Sequence, residues 1–187
     1  MKTFPTIETE RLILRQLRPE DSVDLYNYFS KDEVTEFYDL DSFTELQQAE
    51  SLIRIFNDRF ITQQGIRWGI TLKTEDKVIG TCGFHNWSKK HFKAEIGYEL
   101  SPEYWGIGVM TEVLREVINF GYKELELNRI EAFTYPDNIK SRKLLEKSGL
   151  SEEGYLKKYY YVKQRFVDAV IFSIIKEEVT NDERSKN

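Results

Sequence analysis

The run SPEYWGIGVMT at residues 101–111 constrains the fold more than any other part of the chain, because a Gly-x-Gly turn there joins an alternating strand to a long apolar helix. Upstream, residues 94–100 (AEIGYEL) alternate as a half-buried strand does. Downstream, residues 109–125 place Val113, Leu114, Val117, Ile118 and Phe120 on one broad apolar face. Gly106 and Gly108 let the backbone turn sharply and approach a ligand with no Cβ in the way. The first amides of a helix lack intrahelical partners, and the helix dipole adds partial positive charge there. Such an end suits phosphate or pyrophosphate, the alternative being an ordinary strand–helix turn. Two nucleotide motifs drop out. No Gly-Lys-Ser/Thr occurs, which excludes a P-loop, and Thr111 stands where a dinucleotide fingerprint needs its third glycine.

A second segment, residues 129–154 (RIEAFTYPDNIKSRKLLEKSGLSEEG), reads as a strand at 130–134, a Pro-Asp-Asn turn, a helix at 138–147 and an exit at Gly149. Asp137 or Asn138 suits the N-cap and Gly149 the C′ position. Asn138, Ser141 and Leu145 fall on one helical face, so an amide and a hydroxyl look the same way. They either address a ligand or satisfy the helix's own amides.

Together the two segments resemble the GNAT superfamily of acyl-CoA-dependent N-acyltransferases. The family's pyrophosphate loop, Gln/Arg-x-x-Gly-x-Gly/Ala, has Trp105, Gly108 and Met110 in its defining places. Its later signature, Asn-x-x-Ser-x-x-Leu-x-Glu-Lys-x-Gly-Phe, is matched by Asn138, Ser141, Leu144, Glu146, Lys147 and Gly149, with Leu150 replacing the Phe. Residues 8–15 (ETERLILR), the Pro19-Glu20-Asp21 that follows, and residues 94–112 are similar to the branch of ribosomal-protein N-terminal acetyltransferases. The resemblance implies a single-domain α/β fold over residues 1–176, with a mixed, mostly antiparallel sheet of about seven strands and about four helices. It also implies a sheet split near the loop, where the ligand enters between strands.

A length of 187 residues fits one domain, and 40% apolar with 32% charged residues fits a folded chain. No apolar run is long enough for a membrane helix, and MKTFPTIETE lacks a signal-peptide apolar core. A lone cysteine, Cys82, permits no internal disulfide, so a reducing cytoplasm is expected, and its neighbours suggest a buried strand thiol. His85 and His91 lack a metal-ligand spacing, and no metal is expected. The net charge of −5 argues against nucleic-acid binding and accords with cationic acceptors such as amines or basic protein tails. Residues 177–187 read as a polar tail.

The remaining elements follow from periodicity. Residues 11–17 alternate as a strand, and 20–30 form a short helix. Residues 42–64 form the longest helix, capped by Ser42 with Glu45 three residues later and stopped by Gly65. Residues 66–72 and 78–84 flank a hairpin turn at 74–77, and strands at 154–162 and 166–175 close the chain.

If the family's chemistry carries over, acetyl-CoA is the cosubstrate and an amine attacks its acetyl group directly. The amides of Gly106, Ile107, Gly108, Val109, Met110 and Thr111 would cradle the pyrophosphate, with Trp105 opening the loop and the Leu100 main chain pairing with the pantetheine arm. Asn138 would orient that arm. Many relatives carry a tyrosine where Leu145 stands, so protonation of the departing thiolate passes to Ser141 or to a residue elsewhere. The base candidates are Glu95 and, second, Glu131, on the two strands that flank the cleft. A carboxylate serving as base near neutral pH needs a raised pKa or a water relay, and an α-amine, at about 7.7–8.0, needs less help than lysine. Tyr155, Tyr159, Tyr160 and Tyr161 are candidates for the acceptor channel. Trp105 loses a polar contact to phosphate, and Met110 puts bulk where a small residue is usual. The acceptor expected is the N-terminal α-amine of a protein. Small amines, a non-catalytic acyl-CoA sensor and a nucleotide-binding protein are the alternatives, and the oligomeric state is open.

Overall fold

The computed structural model describes residues 3–176, and the expected polar tail at 177–187 lies outside the described residues. The chain runs β1 (Ile7–Glu8), β2 (Leu12–Gln16), α1 (Ser22–Phe29), α2 (Asp32–Thr35), α3 (Leu46–Ile61), β3 (Ile66–Leu72), β4 (Glu75–Ser88) and β5 (Lys93–Leu100). It continues through α4 (Val109–Lys123), β6 (Arg129–Thr134), α5 (Ile139–Lys147), β7 (Ser151–Val162) and β8 (Arg165–Ile175). The strands form an 8-stranded sheet in the order β1-β2-β3-β4-β5-β6-β8-β7. Every pairing is antiparallel except β5 with β6. The architecture is the expected mixed α/β fold. The strand beyond seven is the two-residue β1, laid against β2 through Ile7↔Leu14, and the added helix is the single turn α2.

Alternation along the strands sorts the core onto two faces. On one face Trp68, Cys82, Ile96 and Leu100 join the buried side of α4, where Val109, Met110, Val113, Leu114, Val117 and Ile118 all lie. On the other, Leu17 and Val78 pack with Leu25, Phe29, Ala49, Ile53 and Phe56 of α1 and α3. Cys82 is the expected buried strand thiol, and burial pushes it up to about 12.

Two local expectations are corrected. The long helix begins at Leu46, not at residue 42, with Glu45 as N-cap. Gln48 Oε1 accepts from the Thr44 and Glu45 amides at 2.7 and 3.0 Å, while the Ser42 hydroxyl turns away to Asp32 at 2.5 Å. Three residues of separation suit a capping box at either site, and Ser42 has a better partner in space. At the far end α3 stops at Ile61, and the Thr62 hydroxyl takes the Asp58 carbonyl at 2.8 Å. Gly65 serves another purpose: a Cβ there would lie 2.4 Å from the Phe84 carbonyl oxygen of β4. The hairpin turn is also tighter than expected. β4 begins at Glu75, because Asp76 binds Arg15 and Arg18 at 2.8 and 3.0 Å and extends the strand.

The feature that positions the site is the parting of β5 from β6. Their ladder holds only Lys93↔Arg129, Ala94↔Ile130 and Glu95↔Glu131, yet β5 continues to Leu100 and β6 to Thr134. Beyond Glu95 the two strands diverge, leaving a wedge open at the end where α4 begins.

Candidate active site

Gly106 and Gly108 carry φ of +76° and +81°, the left-handed region that side chains rarely adopt. Gly108 is the N-cap of α4, and no side chain caps that helix. Its first amides therefore remain available to an anion. A Cβ at Gly106 would meet nothing, and one at Gly108 only Arg11 Nη2 at 3.8 Å, so the loop's outer surface is open. Val109 and Met110 turn their side chains into the core. The bulk of Met110 therefore leaves the backbone approach clear.

Trp105 has an unforeseen task. Its indole Nε1 donates to the Leu100 carbonyl at 2.7 Å, and Lys140 Nζ sits 4.7 Å above its ring. The Ser101 amide donates to Ile79 on β4, which makes 79/101 a hydrogen-bonded pair and turns the main-chain groups of Leu100 and Tyr98 toward the wedge. Trp105 occupies the Leu100 carbonyl there, and the Leu100 amide remains for a ligand arm. The loop is tied down from behind. Glu112 accepts from the Thr9 hydroxyl at 2.5 Å and from Arg11 Nε at 2.8 Å, and these bonds overcome its burial to hold the carboxyl below its ordinary value. Glu112→Ala is expected to raise the KM for acetyl-CoA about fivefold with kcat unchanged, because the tie is partly exposed and contributes on the order of 1 kcal/mol. Steady-state kinetics with varied acetyl-CoA checks this.

Across the wedge, Asn138 caps α5, its Oδ1 accepting from the Ser141 amide at 3.1 Å. Capping thus engages the carbonyl end of the side chain and leaves Nδ2 to donate elsewhere. Ser141 itself meets a partner absent from the sequence-based set: its Oγ lies 2.7 Å from the hydroxyl of Tyr98 on β5. Burial pushes the Tyr98 phenol well above its ordinary value, although the Ser141 bond pulls the other way, so the proton stays on oxygen at neutral pH. A phenol reaches this point from the opposite strand, where the sequence offers only Leu145, itself fully buried. The legible signal was the face: Tyr98 shares it with Ala94, Ile96 and Leu100 and is the hydroxyl among them.

The other face of the wedge is polar. The register Arg67↔Gly83↔Gly97 and His85↔Glu95 groups these residues there. Glu95 Oε2 lies 3.3 Å from His85 Nε2, and Oε1 accepts from Asn86 Nδ2 at 3.0 Å. Burial raises the Glu95 carboxyl, but His85, Asn86 and the charge of Lys93 outweigh it and leave the group below its ordinary value. An ionised carboxylate results, a weaker base than the raised value that role calls for. Glu131 is bound to Lys93 Nζ at 2.9 Å and Arg129 Nε at 2.7 Å, the behaviour of an ion-paired strand residue. Beneath this face Glu99 and Arg67 form a buried pair shared with Thr81. The Tyr28 and Tyr38 hydroxyls donate to Glu99 at 3.5 and 3.4 Å.

Of the four C-terminal tyrosines, Tyr155, Tyr159 and Tyr161 are exposed. Tyr160 is half-buried, and its phenol is raised by burial and then by Glu95, Tyr159, Tyr135 and Asp39. Phe37 meets Tyr135 edge-on at 6.1 Å.

A model of the acetyltransferase (GNAT) domain matches residues 11–151. The chain belongs to the GNAT acetyltransferases. It is 42% identical over 173 residues to the uncharacterized N-acetyltransferase YoaA of Bacillus subtilis, covering 92% of this chain and 98% of that one. The ribosomal-protein-S5-alanine acetyltransferase of Vibrio fischeri superposes with a TM-score of 0.81 at 26% identity, over 93% of this chain and 98% of that one. The microcin C7 self-immunity acetyltransferase MccE, solved with acetyl-CoA and AMP, shares the fold at a TM-score of 0.81 and 19% identity, over 89% of this chain and 93% of that one. The GNAT family uses acetyl-CoA as cosubstrate, and the open glycine loop, uncapped helix and unpaired strand edges fit that group. Among the described residues no helix is long and apolar enough to cross a membrane, and no group of three or more His, Cys, Asp or Glu could hold a metal.

Proposed function

We propose that the protein transfers the acetyl group of acetyl-CoA directly to the N-terminal α-amine of a protein, a ribosomal protein in the first instance, in the cytoplasm. The observation that carries the chemistry is the wedge between β5 and β6, with the Tyr98–Ser141 hydroxyl pair on one side of it and the Glu95 carboxylate on the other. Bound acetyl-CoA supplies an activated acyl carbon and a thiolate leaving group. The amides from Gly106 to Thr111 hold the pyrophosphate, the Leu100 amide and Asn138 Nδ2 align the arm, and Trp105 braces the loop. Ser141 gives its proton to the sulfur, and Tyr98 keeps that hydroxyl supplied. On the acceptor side the Glu95 carboxylate, partly exposed on the polar face of the wedge, attracts a cationic amine.

The likeness to the Vibrio fischeri enzyme supports a protein N-terminus as acceptor. Intact-mass detection of acetyl transfer tests it, with peptides bearing free Ser, Ala or Met N-termini, N-blocked lysine peptides and spermidine as acceptors. Modification of free N-termini alone is expected. Modification of spermidine alone would replace the protein acceptor by a small amine.

A further inference from the structure

His85 meets Glu95 through one of its ring nitrogens. It stands on β4 directly opposite Glu95, and the Glu95↔Glu131 pair is the last rung before β5 and β6 part. Its ring is therefore at the apex of the wedge, about 17 Å along β5 from Leu100 at roughly 3.3 Å per residue. An arm anchored at the glycine loop and entering the wedge at Leu100 runs toward this apex. The ring is neither sealed nor loose: its side chain is 36% exposed.

Its two nitrogens have different surroundings. Nε2 faces Glu95 Oε2 at 3.3 Å, and Asn86 fixes the other oxygen of that carboxylate. The Nδ1 edge looks over Gly97, where a Cβ would lie 3.4 Å from His85 Cε1, 3.7 Å from His85 Nδ1 and 3.0 Å from Arg67 Nη1. A side chain at 97 would crowd both groups, so glycine lets the imidazole edge and the guanidinium pack over the strand. A proton on Nε2 faces Glu95 and leaves the Nδ1 lone pair at the other edge of the ring.

We propose that His85 accepts the proton of the attacking amine and that Glu95 is its positioning residue. This rests on the acyl-transfer reading above and replaces Glu95 as the group that takes the proton. As the amine nitrogen bonds to the acyl carbon, its N–H proton passes to His85 Nδ1. The carbon–sulfur bond breaks with its electron pair on sulfur, which takes a proton from the Ser141 hydroxyl. His85 later releases its proton to solvent, and the Tyr98–Ser141 pair regains one, so the cycle closes with no net change. The two proton transfers occur on opposite faces of the sheet, since His85 and Glu95 lie on the α1–α3 side and Tyr98 on the α4 side.

Charged groups approach the imidazole from every strand beside it. Glu95 faces it from β5, backed by Lys93, and Arg67 approaches from β3 across Gly97. Glu131 lies one strand further on β6, bound to Lys93 and Arg129, and the Tyr160 phenol of β7 lies near Glu95. Glu95 is the anion in direct contact, so its removal is the decisive change.

The test uses the full chain and the N-terminal peptide that the acceptor panel identifies, with kcat/KM measured with and without added imidazole. His85→Gln is expected to lose about 100-fold in kcat/KM, with partial rescue by added imidazole and unchanged acetyl-CoA binding by calorimetry. Glu95→Gln keeps the imidazole but loosens it, and is expected to lose about tenfold with no rescue by imidazole. A His85→Gln enzyme within about threefold of wild type overturns the proposal, and so does a Glu95→Gln enzyme with wild-type kcat/KM. If His85→Gln fails to bind acetyl-CoA or to fold, the Glu95→Gln kinetics alone decide. A wild-type protein that acetylates none of the amines overturns the acyl-transfer reading itself, a result distinct from an active enzyme indifferent to His85.

Discussion

Ser141→Ala is expected to lower kcat by about 100-fold while acetyl-CoA binds nearly as before, because a positioned general acid typically contributes 10²–10⁴. The loss falls on kcat since the Ser141 proton matters only when the sulfur departs. Tyr98→Phe should cost less alone, because Ser141 can still reach sulfur without its partner. The two share one hydrogen bond of 2.7 Å, so the double variant should lose less than the product of the single losses. Either removal also leaves a polar group in the wedge without its partner, a penalty of about 1–3 kcal/mol on stability. Thermal midpoints measured beside the kinetics separate the two effects. A Ser141→Ala enzyme with wild-type kcat, or a fully additive double variant, would remove the pair from leaving-group protonation.

The largest stability effect is expected at Glu99. Its side chain is 4% exposed, its partner Arg67 8%, and the pair is completed by the Thr81 hydroxyl and two tyrosine hydroxyls. Burial and Glu99 act on the Arg67 guanidinium in opposite senses, and the carboxylate wins, raising it above its already high value. Glu99→Leu would remove the anion and strand a guanidinium in the core, with Phe56, 5.2 Å from ring centroid to Cζ, as its remaining shelter. Breaking a buried pair from one side costs about 3–5 kcal/mol, whereas replacing both partners by apolar groups of similar volume is often neutral. Glu99→Leu should therefore lower Tm by about 10 °C. Arg67→Met combined with Glu99→Leu should recover most of that loss in the same calorimetric scan.

Much of this was written along the chain. The glycine turn, the face of α4, the cap at Asn138 and the C′ glycine at Gly149 (φ +89°) are all local, set by residues within a few positions of one another. Helical and strand periodicity report such features directly. The α3 boundary shows the limit of that reading. Ser42 and Glu45 both suit an N-cap by spacing, and the choice fell to Asp32, ten positions away, which takes the Ser42 hydroxyl.

What decided the chemistry of the wedge was distance in space between residues remote in sequence. Tyr98 and Ser141 are 43 positions apart, and their bond exists because β5 and β6 pair for three residues and then diverge. Local pattern carries no information on where two parallel strands stop pairing. Glu95 is plain in the sequence as a carboxylate on a flanking strand, but its ionised state depends on His85 and Asn86 delivered by β4. The chain by itself therefore determined which groups were present and which way each strand and helix turned them. Only the packed sheet determined which groups meet, and proton affinity follows from the meeting.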